Sequence, residues 1–108
     1  MRKLNTEAGS ILAAIKQRLL DAFGDNVQRI ILFGSRSRGD AAPDSDYDIL
    51  VLLEECGRVP KDLVYDVAYE ILDRYGVVAT IFLEEGATFE HDTVEPLFCN
   101  IRREGAVL

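Results

Sequence analysis

The sequence predicts an α/β fold, a small mixed sheet with helices packed on it. Three observations lead there. Apolar residues recur at helical spacing over residues 6–23. Three short β-branched or apolar runs, Val27 to Phe33, Asp46 to Leu53 and Val77 to Leu83, read as strands. Helical stripes return after the second and third of these runs, and strands interleaved with helices pack as layers.

The first helix carries Ile11, Leu12, Ile15, Leu19, Ala22 and Phe23 on one face. Asn5 or Thr6 can cap its start and Gly24 can end it. Residues 34–44 read as a loop with a short helical start after Ser35, and Asp44 as a turn residue after Pro43. Beyond Asp48 the second strand runs Ile49-Leu50-Val51-Leu52-Leu53 without a break, so both its faces should be buried. Pro60 suits the first turn of a helix reaching about Tyr75. Its expected core face is Val64, Val67, Ala68, Ile71, Leu72 and Tyr75, and Gly76 ends it. Val94, Leu97, Phe98 and Ile101 form a last stripe, stopped by Gly105. Arg102 and Arg103 in its final turn suit the negative end of the helix dipole.

A chain of 108 residues without repeat, linker or low-complexity tract is expected to form one domain, 1–108. It holds no apolar run of the roughly 18 residues that a membrane span needs. The opening Met-Arg-Lys-Leu-Asn-Thr-Glu precedes no signal-like apolar stretch, so a cytoplasmic protein is expected. Cys56 and Cys99 have neither CxxC nor Cys/His spacing and read as ordinary thiols. The net charge of −7 disfavours a grip on extended nucleic acid, which relies on Lys and Arg. It suits a basic protein partner, or serves solubility alone.

The stretch Gly34-Ser-Arg-Ser-Arg-Gly-Asp-Ala-Ala-Pro-Asp-Ser-Asp-Tyr-Asp48 bears the chemistry. Gly34-Ser35 ends one strand. Ten residues later Asp46 and Asp48 open the next. Glycine lets a backbone turn approach a phosphate, and Ser35 adds a hydroxyl and an N–H. The alternative is a plain strand-ending turn. Carboxylates two apart on a strand share a face, where they repel unless a cation such as Mg²⁺ lies between them. Arg36 and Arg38 flank the turn. Arg36, the nearer, is the candidate phosphate ligand; otherwise both are solvated charges.

Asp44, Asp46, Asp48 and Glu55 fall at calcium-loop spacing, but Ile49 stands where that loop needs glycine. Asp62, Asp66, Glu70 and Asp73 mark a solvated helix face or a contact surface for a basic partner. Tyr65 and Tyr69 suit a packed edge or an interface, and His91 receives no role.

Gly-Ser, ten residues and Asp-x-Asp resemble the signature of the DNA polymerase beta-like nucleotidyltransferase superfamily. Within it the chain is similar to the minimal nucleotidyltransferases, many of them partners of HEPN-domain proteins. The ending Asn100-Ile-Arg-Arg-Glu-Gly105 resembles that group too, so the likeness covers about residues 27–108. It implies a palm-like fold and transfer of AMP from ATP, or another NMP from its NTP, to an acceptor. Asp46 and Asp48 would be the catalytic, Mg²⁺-holding pair; Gly34 and Ser35 would bind phosphates. It also implies a HEPN-type partner in a toxin–antitoxin pair, with oligomeric state left open. The alternative is a nucleotide-binding antitoxin with weak or no catalysis.

The departure from the family lies in the third strand. Catalytic members resemble one another in placing a third carboxylate there. The run Val77-Val78-Ala79-Thr80-Ile81-Phe82-Leu83 has none, and Thr80 is the expected occupant of that position. Alternation then sets Val78, Thr80 and Phe82 on one face. Glu84 and Glu85, past the run, are the alternative carriers of the charge.

Overall fold

The computed structural model describes residues 6–39, 45–60 and 62–108. Asn5, Pro43 and Asp44, given roles above, lie outside the described residues. Helix α1 spans Thr6–Phe23 and β1 Val27–Phe33, as the sequence suggests. A four-residue helix α2, Ser35–Arg38, follows. Then come β2 (Tyr47–Leu53), α3 (Leu63–Tyr75), β3 (Ala79–Glu85), α4 (Gly86–His91), α5 (Pro96–Glu104) and a two-residue β4 (Ala106–Val107). The sheet order is β3-β2-β1-β4. β1 is antiparallel to β2 and to β4, and β2 is parallel to β3, so the sheet is mixed as expected.

The sheet is a central layer. On one side Leu12, Ile15 and Leu19 of α1, with Val67 and Ile71 of α3, pack on Ile30, Leu32, Ile49, Val51 and Leu53. On the other, Phe89 of α4 and Phe98 and Ile101 of α5 pack on Ile31, Leu50 and Leu52. The Phe89 and Phe98 rings meet edge to face with centroids 5.3 Å apart. All of Ile49–Leu53 is buried, which is why that run needs no polar alternation.

Several expectations shift. β2 begins at Tyr47, leaving Asp46 just ahead of the ladder. β3 runs two residues later than expected. The Tyr47 N–H donates to the Val78 carbonyl (2.9 Å), the ladder opens at Tyr47 with Ala79, and it continues until β2 ends at Leu53. Glu84 and Glu85 thus become strand residues. α3 starts at Leu63 rather than at Pro60, whose carbonyl accepts the Leu63 N–H at 3.1 Å in a preceding turn. Leu72 and Tyr75, expected in the core, are exposed, because only Val67 and Ile71 face the sheet squarely. Val94 and Leu97 are exposed too; Val94 precedes α5, and Phe98 and Ile101 form its buried seam.

Candidate active site

Gly34 closes β1 with φ 76° and ψ −157°, a region that essentially only glycine occupies. Its carbonyl accepts the N–H groups of Ser37 and Arg38, both at 3.1 Å, and so folds the chain into α2. In the sheet, Phe33 pairs with Asp48, which brings the turn onto the first carboxylate of β2. A Cβ on residue 34 would lie 2.4 Å from Asp48 Oδ2. The glycine is therefore what allows turn and acid to touch.

α2 is anchored from two sides. The buried Ser37 hydroxyl donates to the Glu104 carbonyl at the end of α5, and Arg38 pairs with the Glu104 carboxylate at 3.3 Å. Arg36 turns the other way. Its Nε and one terminal nitrogen both donate to the Ser45 carbonyl, at 3.1 and 2.8 Å. The guanidinium also lies 4.3 Å from the centre of the buried Tyr47 ring, within cation–π range. Arg36 thus joins the turn to the residues on either side of Asp46.

Asp46 is exposed and Asp48 half-buried. Burial pushes the Asp48 carboxyl above its ordinary 3.8, the Asp46 charge adds to the rise, and Arg38 offsets part of it. Parallel register pairs Asp48 with Thr80, so the two share a sheet face. Thr80 thus stands beside Asp48, as strand alternation predicts, and carries no charge. Glu84 pairs with Leu52, four residues along β3 and therefore ~13 Å away at strand rise. Glu85 accepts the Cys56 N–H at 3.2 Å. Neither acid lies at the Asp48 end.

Among the described residues no group of three or more His, Cys, Asp or Glu is placed to hold a metal ion. Two hard oxygen donors suit Mg²⁺ in kind, since that ion keeps several waters and takes one or two protein carboxylates beside substrate phosphates. Burial first and the Asp46 charge second raise the Asp48 pKa, and a cation beside the pair would offset both. The residues present therefore fit a divalent ion shared with a phosphate ligand.

The chain has counterparts among known proteins. A family model described as nucleotidyltransferase domain matches residues 12–96. The chain belongs to the nucleotidyltransferase domain family.

Among the relatives of this nucleotidyltransferase, candidate protein adenylyltransferase MJ0604 of Methanocaldococcus jannaschii is 36% identical over 90 residues, 83% of this chain and 86% of its own length. Another from that organism, MJ1305, is 34% identical over 95 residues; the chain spans only 65% of its length. Protein adenylyltransferase MntA of Thermococcus cleftensis is 53% identical over 49 residues, 45% of this chain and 48% of its own.

A chain in the crystal structure of a toxin–antitoxin with AMP-PNP superposes with a TM-score of 0.62 at 20% identity, covering 87% of this chain and 69% of that one. A chain of tri-AMPylated Shewanella oneidensis HEPN toxin in complex with MNT antitoxin gives 0.61 at 18%, covering 92% and 69%. These two likenesses establish the nucleotidyltransferase fold.

Sequence reasoning missed Ser37 and Tyr47. Only the polar Ser37 amid charged neighbours, and an aromatic between two aspartates, hinted that either is buried. It also missed the role of Glu104, which acts through the three-dimensional approach of α5 to α2.

Proposed function

We propose that this nucleotidyltransferase moves AMP from ATP to a protein acceptor, a HEPN-type partner, and acts as its antitoxin. The observation that carries the reading is the Gly34 turn held against Asp48, with Asp46 two residues before it. The relatives named as protein adenylyltransferases support the donor and acceptor classes. The toxin–antitoxin neighbours support the partner. An ATP-consuming reaction agrees with a cytoplasmic site, and no described helix is long and apolar enough to cross a membrane.

In this reading Asp46 and Asp48 hold Mg²⁺, which when bound neutralises charge on the triphosphate. The Gly34 and Ser35 backbone, with the Ser35 hydroxyl, holds the β- and γ-phosphates. Arg36 keeps that turn and the acids in one frame through Ser45 and Tyr47. The α-phosphate is then open to in-line attack. The acceptor oxygen bonds to phosphorus as the bond to the β-phosphate breaks, and pyrophosphate leaves.

A second reading rests on Thr80. A hydroxyl beside Asp48 supplies neither the charge of a third carboxylate nor a base for the acceptor proton. It favours a nucleotide-binding antitoxin with weak or absent transfer.

One experiment separates the two. The chain, ATP labelled in its α-phosphate, Mg²⁺ and the HEPN-type protein of the same genome are incubated, and label on the protein is measured. Transfer that Asp46→Asn and Asp48→Asn each abolish supports the enzyme. Mg²⁺-dependent ATP binding by calorimetry without transfer supports the binding module. No heat at millimolar ATP and Mg²⁺ from folded protein removes both.

A further inference from the structure

Helix α3 presents one stripe to the core and another to solvent. With Val67 and Ile71 on the sheet, helical period sends Tyr65, Tyr69 and Leu72 outward at i, i+4 and i+7. Their exposures are 65%, 70% and 44%. Between this stripe and the start of β3 runs a groove of about 160 Å³, lined by Tyr65, Ala68, Tyr69, Leu72, Val78 and Ala79. β3 is an edge strand, without a strand partner on its outer side among the described residues. On its other flank Phe82, 41% exposed, shares the face of Thr80 and Asp48. Exposed apolar residues therefore occur on both sides of the β3 edge, Val78 beside the groove and Phe82 on the candidate active face. Rimmed apolar patches of this kind mark interaction sites, and tyrosine is enriched in them.

Charge selects the occupant. Asp62, Asp66 and Asp73 are exposed and fall on the flank of α3 just beyond the tyrosines. Glu70, further round, is turned to Arg18 on α1. Two copies docked through this stripe would bring their acidic ridges together, each on a chain of net charge −7. A partner with an apolar centre and a Lys/Arg rim meets the same surface with matched charge.

We infer that the outer face of α3 and the edge of β3 dock the protein that accepts the nucleotide, through an apolar patch rimmed by Lys and Arg. This rests on the reading above. α3 packs on the sheet face opposite Asp48, so an acceptor docked there reaches the candidate site by wrapping the edge strand β3, which lies beside β2.

The test is a titration of this chain against the HEPN-type protein of its own genome, with Mg²⁺-ATP binding measured in parallel. Tyr69→Glu should weaken the protein complex by about 30-fold or more, as expected of a central interface tyrosine. Asp62→Lys/Asp66→Lys should also weaken it and flatten its salt dependence. Val94→Glu, an equally exposed change ahead of α5, should leave it unchanged. Mg²⁺-ATP binding should persist in every variant. Should Tyr69→Glu perturb folding, judged by circular dichroism, Tyr65→Ala/Leu72→Ala decides instead.

A complex that keeps full affinity in these groove variants overturns the inference. So does a self-dimer that Tyr69→Glu dissociates, or an absent complex while wild-type Mg²⁺-ATP binding is intact. Loss of Mg²⁺-ATP binding in the wild type instead refutes the nucleotidyltransferase reading beneath it.

Discussion

Gly34→Ala should damage the site more than the fold. At φ 76° and ψ −157° a side chain costs about 1–3 kcal/mol in backbone strain. The new Cβ would also stand 2.4 Å from Asp48 Oδ2. That oxygen ends a rotatable side chain, so the carboxylate swings aside and the β1–β2 ladder stays intact. The stability loss should then be the backbone cost alone. With a urea slope of about 1 kcal/mol per M, the midpoint should fall by about 1–3 M. Mg²⁺-dependent ATP binding should be lost even where the variant is fully folded, because Asp48 has left its place. Asp48→Ala supplies the control. In that background the Cβ meets no carboxylate, so Gly34→Ala should cost the same 1–3 kcal/mol as in the wild type. Calorimetry and urea melts on the four proteins complete the cycle. A midpoint unmoved by Gly34→Ala, with ATP binding retained, would refute the argument from Gly34. A cost that vanishes in the Asp48→Ala background would show that the clash, and not the dihedral, dominates.

Arg36→Ala removes two charged hydrogen bonds to the Ser45 carbonyl and should cost about 1–3 kcal/mol in urea melts, with Arg36→Lys recovering little of it. If Arg36 served as a phosphate ligand alone, stability would hold and only triphosphate affinity would fall. Thr80→Asp sets a third carboxylate beside Asp48; it should raise Mn²⁺ or Mg²⁺ affinity and lower stability in metal-free buffer, and a variant that does neither shows that Thr80 is remote from the ion. Asp92 accepts the Glu95 and Val94 N–H groups ahead of α5, which lowers its pKa from the ordinary 3.8. A depressed carboxylate stabilises above its unfolded value and ceases to do so as pH falls through its folded one. The stability gap between wild type and Asp92→Ala should therefore be full above 3.8 and shrink below it; a gap independent of pH contradicts the assignment.

The strands and long helices were legible because each carries its own period. The buried run 49–53 reads as a central strand with no help from its neighbours, and α1 and β1 match their expected bounds. Register was legible only in part. The ends of β3 follow from where Tyr47 meets Val78 and Ala79, a contact between segments some thirty residues apart in sequence. α4 and β4 escaped notice because six and two residues cannot display a period; they exist through Phe89 on the core and the pairing of Ala106 with Leu32. Leu72 and Tyr75 misled for the opposite reason. An apolar residue at helical spacing belongs to the core only if another element covers it, and on that side of α3 none of the described residues does. At the site, the Gly34–Asp48 approach follows from motif spacing and antiparallel pairing, whereas the Arg36–Ser45–Tyr47 clamp is a side-chain contact that no local pattern declares.

The two-residue shift of β3 bears directly on chemistry. Had the strand kept its expected bounds, Glu84 and Glu85 would have been loop residues, able in principle to fold back toward Asp46 and Asp48. Pairing with Leu52 and Leu53 instead fixes both at the far end of the sheet, and the Cys56 N–H holds Glu85 there. The strand rise of about 3.3 Å per residue then separates Glu84 from the acids by more than any carboxylate side chain can span. Thr80 is the side chain that β3 sets beside Asp48 in the ladder. Among the described residues no third carboxylate joins Asp46 and Asp48, so an ion held there would complete its shell with water and the oxygens of its ligand. Binding of metal and binding of triphosphate become mutually dependent: each supplies what the other lacks. Calorimetry should accordingly find Mg²⁺ alone and ATP alone weak, and the pair far tighter than either. Strong binding of Mg²⁺ without nucleotide would mean that a third protein ligand reaches the ion after all.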